Sequence, residues 1–294
     1  MAISRHVDML HGSLWDKILI VALPLALTGI MQQLFNAADI AMIGQFVGKD
    51  AMAAVGSNSS IISTMLSLFI GISLGVNVTI ASFIGKHNEQ GVHMAVHTSL
   101  LVALVCGVFM VILGELAVRS LLHLLNVPAH IFEMAVTYLR VFFLGMPAFF
   151  IYNFESSIFC SLGDTQTPLI GLVIAGVVKV ILNLIFLLIF NLSVLGVGIS
   201  TAIAPCISAA ILFYRLCRTH SSIRIRFNEF RTHKAVLKRI LRIGVPAGIQ
   251  GMVFSLSNLV IQSAINGLGA VVMAASAAAF NIEIVSYFVI NAFG

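Results

Sequence analysis

Charged residues are scarce in this chain. Of its 294 residues only 9% are Asp, Glu, Lys or Arg, while 60% are hydrophobic; a typical soluble domain carries about 25% charged residues. The mean hydropathy is +1.07. This composition excludes an ordinary soluble domain. It predicts an all-α, polytopic integral membrane protein.

Cysteine is also rare, with four residues that show neither the spacing of a disulfide framework nor that of a metal site. The nine histidines fall in loops or near predicted helix ends. His93 and His97 would share one helix face, but no acid lies between them, as a zinc hydrolase would require. We therefore expect no bound metal and no cofactor.

Basic residues are unevenly distributed, and nine of the sixteen lie between Arg215 and Arg242. The net charge of +5 is therefore local and does not indicate nucleic-acid binding. With the N-terminus inside, the inner segments hold twelve basic residues and the outer loops only Lys49 and Arg119. The positive-inside rule then predicts a cytoplasmic N-terminus in the plasma membrane. We interpret 215–242 as a cytosolic segment that fixes topology, and its second part as able to form an amphipathic surface helix.

Eight apolar segments are long enough to cross a bilayer, and short polar or Gly- and Pro-marked turns separate them. The predicted spans are residues 16–43, 53–84, 95–118, 135–160, 168–190, 194–216, 241–267 and 270–294. These divide the chain into three parts: a six-span lobe over 1–216, a basic linker over 217–240 and two spans of a second lobe over 241–294.

An internal repeat supports two lobes. Pro24 aligns with Pro246, and Gly48 with Gly269, at offsets of 222 and 221 residues. This offset equals six spans plus the linker, so the two halves would run in the same orientation with the substrate site between them. The second copy holds only two of its six spans. We therefore expect the chain to be cut short and a missing C-terminal lobe to be needed for a complete transporter.

The first span carries one polar stripe. Thr28, Gln32, Asn36 and Asp39 follow one another at steps of four, four and three residues, which places them on one helix face. An ionisable group at membrane depth usually marks a pathway or a paired site. The stripe therefore predicts a transporter whose coupling site is built around Asp39.

Several short stretches between residues 12 and 201 are weak signals one by one, but their order and spacing along the chain are informative. They are Gly12-Ser-Leu-Trp15, Leu23-Pro24, Gln33-Leu-Phe-Asn-Ala-Ala-Asp39, Ala53-Ala-Val-Gly56, Phe69-Ile-Gly-Ile-Ser-Leu-Gly75, Tyr138-Leu-Arg140, Gly163-Asp-Thr-Gln-Thr-Pro168 and Gly196 through Thr201. Together they resemble the multidrug and toxic compound extrusion (MATE) family of cation-coupled efflux transporters.

What this resemblance implies is a protein of two six-helix lobes that exports amphipathic, often cationic drugs or toxins. Export would be an antiport with inward-moving H⁺ or Na⁺, and the partners would be these small molecules and the surrounding membrane lipid. In the family the first-span aspartate, which matches Asp39, forms a cation site with polar residues of the fourth, fifth and sixth spans. Those residues match Asn153, Lys179, Asn183 and Thr201.

Two positions depart from the family pattern. Some members carry a second aspartate where this chain has Asn183, and an asparagine where it has Lys179. An Asp39–Lys179 ion pair is expected in place of the acidic pair, which leaves the choice between H⁺ and Na⁺ open. We also expect Asp39 to share hydrogen bonds with Asn36, and Pro24 to give the first helix a hinge.

Further polar residues are candidates for the substrate cleft. Thr28 and Gln32 lie on the stripe that carries Asp39. Glu155 either lines the cleft or reaches the cytosolic interface, and the interface is favoured slightly. Glu283 is a candidate substrate contact if the second lobe is present.

Two other functions are less consistent with the sequence. A lipid-linked oligosaccharide flippase of a related superfamily would need a more cationic cleft than Arg140 and Lys179 provide. A membrane-embedded enzyme is disfavoured because no cluster of His, Ser or paired acids appears at membrane depth.

Overall fold

The computed structural model describes residues 14–124, 127–219, 223–225 and 231–266, together with Ser286 and Ile290. Within these ranges the regular structure is helical, which confirms the predicted all-α class. The helices are α1 (Leu14–Phe46), α2 (Lys49–Gly85), α3 (Glu89–Leu124), α4 (Ala129–Leu144), α5 (Met146–Cys160), α6 (Gln166–Leu188), α7 (Ser193–Arg218) and α8 (Lys234–Asn266). Most of the predicted span 270–294, including Glu283, lies outside the described residues.

Most of these helices have the length and composition of membrane spans. Among the described residues, α1, α2, α3, α6, α7 and α8 are long and apolar enough to cross a bilayer. The pair α4 and α5 forms a further candidate span that is bent by 49°. Large apolar side chains such as Val105 and Leu116 on α3 are mostly exposed, as a lipid-facing surface requires. The chain is a multi-pass membrane protein.

The bend between α4 and α5 was not predicted, because the sequence suggested one span over 135–160. It lies at Gly145, where a Cβ atom would come within 2.7 Å of the Ala202 Cα atom on α7. Pro147 follows in the first turn of α5 and has no backbone N–H to continue the helical ladder. The close approach to α7 and the missing donor together explain the break.

Aromatic side chains fill the centre of the lobe. Phe143, Phe150 and Phe154 are fully buried, and the rings of Phe69 on α2 and Phe150 on α5 lie 4.9 Å apart. This cluster fixes α2, α3, α4, α5 and α7 relative to one another. The packing leaves α1 and α6 at one side of the bundle, in contact with each other.

The helix α8 packs along α2 through glycines on both helices. A side chain at Gly71 would collide with the backbone of Ala247 and Gly248, and one at Gly244 would lie 2.6 Å from the Ile72 Cα atom. Small residues spaced four apart allow this backbone approach in membranes. We call the contact the α2–α8 seam, and its paired glycines are Gly71, Gly75, Gly244 and Gly248.

The α2–α8 seam has polar contacts on either side of the glycines. The hydroxyl oxygens of Ser67 and Ser255 lie 3.0 Å apart. Towards the start of α8, the Arg239 guanidinium donates to the Ser82 hydroxyl at 2.6 Å and lies over the Phe83 ring. Since α8 begins at Lys234, residues 234–240 of the predicted linker belong to this helix and not to a separate surface helix.

Candidate functional site

The Asp39 carboxylate is buried between α1 and α6. It lies in the last third of α1, only 3% exposed. Nearby, Gly176 of α6 packs directly against the Phe35 ring of α1. A glycine at this position allows α6 to come close to α1, since any side chain would overlap the ring. The two helices are therefore close enough for their polar side chains to meet.

An ion pair joins these two helices. The Lys179 ammonium nitrogen lies 2.5 Å from the Asp39 Oδ2 atom, and Lys179 is only 7% exposed. Charges buried this deeply are stable only with a partner of opposite charge and further hydrogen bonds. The ion pair that the sequence suggested is present in the structure.

Asn183, one helical turn after Lys179, binds the other oxygen of the carboxylate. Its Nδ2 atom donates to Asp39 Oδ1 at 2.7 Å. The Oδ1 atom of the same amide accepts a hydrogen bond from the Ser200 hydroxyl on α7. Because the amide oxygen is held by a donor, its NH₂ group is oriented towards Asp39. We call Asp39, Lys179, Asn183 and Ser200 the Asp39 network.

Ser200 was not predicted as a site residue. It is fully buried, and its hydroxyl also lies 3.0 Å from the Val197 carbonyl oxygen of its own helix. Its neighbour Thr201 was predicted instead and lies beside the Tyr138 phenol, which is within electrostatic reach of Asp39. The stretch from Gly196 to Thr201 contains both residues, but only the rotation of α7 determines which one binds Asn183.

Other residues of the predicted polar stripe do not join the Asp39 network. Asn36 is exposed and donates to Gln33 at 3.4 Å, so the expected hydrogen bond to Asp39 is absent here. Gln32 is half-buried. The Thr28 hydroxyl donates to the Pro24 carbonyl oxygen at 2.8 Å. Of the four residues in the stripe, only Asp39 is buried, and the other three side chains are half-buried or exposed.

Two residues of the fourth predicted span also lie apart from this network. The Asn153 amide donates to the Phe149 carbonyl oxygen of its own helix at 2.8 Å. Glu155 is fully buried in the core of the lobe, because α5 turns this residue inward. Its side chain is therefore not exposed at either place that the sequence suggested, and a role at the cleft or the interface stays a prediction.

The Asp39 network holds one negative and one positive charge, both of them buried. Each Asp39 oxygen has a donor, from Lys179 or Asn183. A proton can neutralise the carboxylate by binding one of its oxygens, and it needs no additional oxygen ligands. A sodium ion would need several oxygen ligands and would have to displace the ammonium. In the described residues, no group of three or more His, Cys, Asp or Glu is arranged to hold a metal ion.

Comparisons with known proteins agree with this architecture. The sequence model of the MatE family matches residues 24–185. The chain is 28% identical over 268 residues to "Probable multidrug resistance protein YoeA" of Bacillus subtilis (strain 168), covering 87% of this chain and 57% of that protein. It is also 28% identical over 280 residues to "Probable multidrug resistance protein NorM" of Thermotoga maritima, covering 91% and 58%.

A solved structure, that of MATE in the bent conformation, has the same fold. Its TM-score is 0.90 at 24% identity, over 99% of this chain and 65% of that one. The chain thus spans less than two thirds of the length of each of these three proteins.

Proposed function

This chain belongs to the MatE family, and we propose that it forms the first lobe and part of the second in an antiporter that exports amphipathic, often cationic drugs or toxins. The names of the curated relatives, which refer to multidrug resistance, support drug export over the flippase alternative. The antiporter would lie in the plasma membrane with a cytoplasmic N-terminus. Its role is transport and not catalysis, and a C-terminal lobe would close the substrate cleft.

We assign the coupling role to Asp39. It is a carboxylate at membrane depth that is held by Lys179 and Asn183 of α6, and Ser200 of α7 in turn binds Asn183. Neutralising it would remove the attraction to Lys179 and free α1 from α6. Pro24, inside α1, offers a place for this helix to bend. The charge of one side chain would thus bias which face of the transporter is open.

The coupling ion we propose is H⁺. The Lys179 ammonium already supplies a cation next to Asp39, so an entering Na⁺ would be repelled by a fixed positive charge in low-dielectric surroundings. The same charge opposes protonation of Asp39, but a proton bonds directly to one carboxylate oxygen and needs no ligand shell, whereas Na⁺ would have to displace the ammonium. This is the observation that favours H⁺ over Na⁺ in this chain.

The test is an efflux assay in cells that express this chain fused to the C-terminal part of the Bacillus subtilis relative. We expect ethidium efflux that stops when the pH gradient is collapsed and does not change when Na⁺ is replaced by K⁺. The Asp39→Asn variant should lose efflux. Asp50→Asn, a change at an exposed acid outside the network, should keep it.

Unchanged efflux in Asp39→Asn would refute the coupling role. Efflux that follows the sodium gradient would refute proton coupling while leaving drug export intact. The chain expressed without any further lobe should produce no efflux.

A further inference from the structure

A second acid in the bundle, Glu155, has no hydrogen-bond partner for its carboxyl group among the described residues. Glu155 lies about one turn before the end of α5, at Cys160, and is 0% exposed. In the described residues neither of its carboxyl oxygens has a hydrogen-bond partner. Native proteins rarely bury a polar side chain in this way, and each case calls for an explanation.

In the part of the chain that the structure describes, no Lys or Arg charge acts on the Glu155 carboxyl group. The helix α5 packs mainly against α2, α3 and α7, and it also contacts α6 and α4. From α7, the Cys217 thiol lies within electrostatic reach of Glu155. On the half of α3 near this end are His93 and His97, where the His97 Nδ1 atom pairs with the His93 carbonyl oxygen at 2.8 Å. On the same half of α2, the Thr79 hydroxyl group is also buried.

A short segment of the linker covers this end of the lobe. Ile223 and Ile225 are buried in the same apolar cluster as the end of α5. The Ile225 amide donates to the Leu216 carbonyl oxygen at 3.4 Å, next to Cys217. Between them Arg224 is exposed and acts electrostatically on Cys217. We call residues 223–225 the linker strap.

An isolated carboxylate in such surroundings would cost many kcal/mol, and a carboxyl group in this position neutralises instead. The neutral acid still carries a proton that can leave when water arrives. An ionisable side chain at membrane depth without a structural partner is a functional group by default. Apolar residues would fill this place at lower cost if packing were the only requirement.

We propose that Glu155 is a second proton-binding site, which exchanges its proton with water at the end of the lobe where α7 ends and α8 begins. The linker strap separates it from that water. Asp39 lies in the opposite half of the bundle, seven residues before the end of α1. The lobe would therefore contain two carboxyl groups that reach water from opposite ends. This site does not depend on the coupling role of Asp39.

Infrared difference spectroscopy of the purified chain in lipid vesicles tests the site directly. At neutral pH we expect the carbonyl stretch of a protonated carboxylic acid, and we expect Glu155→Gln to remove it. Asp39→Asn should leave the band in place, so failure of the coupling role and failure of this site are distinguishable. Glu133→Gln, at an exposed acid paired with Arg119, is the matched control. A spectrum that is unchanged in Glu155→Gln would overturn the proposal.

Exchange into D₂O tests the role of the linker strap. Because Ile223 and Ile225 exclude water, the Ile223→Ala/Ile225→Ala variant should shift the Glu155 band at least ten times faster than the parent chain. Ile40→Ala, at an exposed apolar position on α1, should not change the rate. An equal exchange rate in the parent chain and the strap variant would show that the proton does not reach water past the strap.

Discussion

The Lys179 ammonium lies 2.5 Å from the Asp39 carboxylate, and this contact joins α6 to α1. The ammonium occupies a position where a mobile cation could bind if the side chain were a hydrogen-bond acceptor. Lys179 therefore balances the negative charge of Asp39 without any bound ion. The following predictions address the strength of this pair, its ion selectivity, its support from α7 and the packing of α8.

Breaking the ion pair on one side should destabilise the lobe more than removing both charges. Lys179→Met leaves a buried carboxylate unpaired, and Asp39→Asn leaves a buried ammonium, so each should cost about 3–5 kcal/mol. The Asp39→Asn/Lys179→Met double variant should recover most of this loss. Unfolding of the purified protein in detergent provides the free energies for a double-mutant cycle. Additive effects of the two changes would contradict a direct pair.

Removing the fixed cation and adding an acid should create a sodium site. The Lys179→Asn/Asn183→Asp variant would place two carboxyl groups near each other with no ammonium between them, which favours a bound cation with oxygen ligands. We expect its thermal midpoint to rise with NaCl and not with equal choline chloride. The parent chain should respond equally to both salts. A parent chain that is stabilised selectively by Na⁺ would contradict the role given to Lys179.

The hydroxyl of Ser200 should orient the Asn183 amide. Ser200→Ala leaves the amide oxygen buried without its donor, which costs about 1–3 kcal/mol. It should also weaken the coupling energy measured between Asp39 and Lys179. Ser208→Ala is a matched control on the same helix, because the buried Ser208 hydroxyl donates to the Ala204 carbonyl oxygen of its own helix. Equal losses in the two variants would indicate that Ser200 has no specific role.

The glycines of the α2–α8 seam should be intolerant of side chains. Gly71→Leu would drive a side chain into the backbone of α8, whereas Gly85→Leu has open space around its Cβ position. The measurement is disulfide formation in Ser67→Cys/Ser255→Cys, whose native hydroxyls lie 3.0 Å apart, with the four native cysteines replaced. We expect rapid cross-linking in the parent and Gly85→Leu backgrounds and a loss of at least tenfold in rate with Gly71→Leu. Unimpaired cross-linking with Gly71→Leu would mean that the seam is not held by close backbone contact.

Several features could be read from the sequence because they depend on local composition. Runs of apolar residues determine the helices, since a backbone in lipid must satisfy its own hydrogen bonds. The match of Asp39 and Lys179 to positions of the family's cation site was enough to suggest an ion pair. The motifs identified the family, which the sequence model of MatE confirmed.

Tertiary structure alone decided the rest, because it depends on how helices rotate and approach one another. Thr28, Gln32, Asn36 and Asp39 share one helical face in sequence, but packing against α6 buries only Asp39. The rotation of α7 selects Ser200 as the donor to Asn183. The burial of Glu155 follows from contacts between α5 and three helices distant in sequence. Periodicity gives the face of a helix, and only the neighbouring helices determine what that face meets.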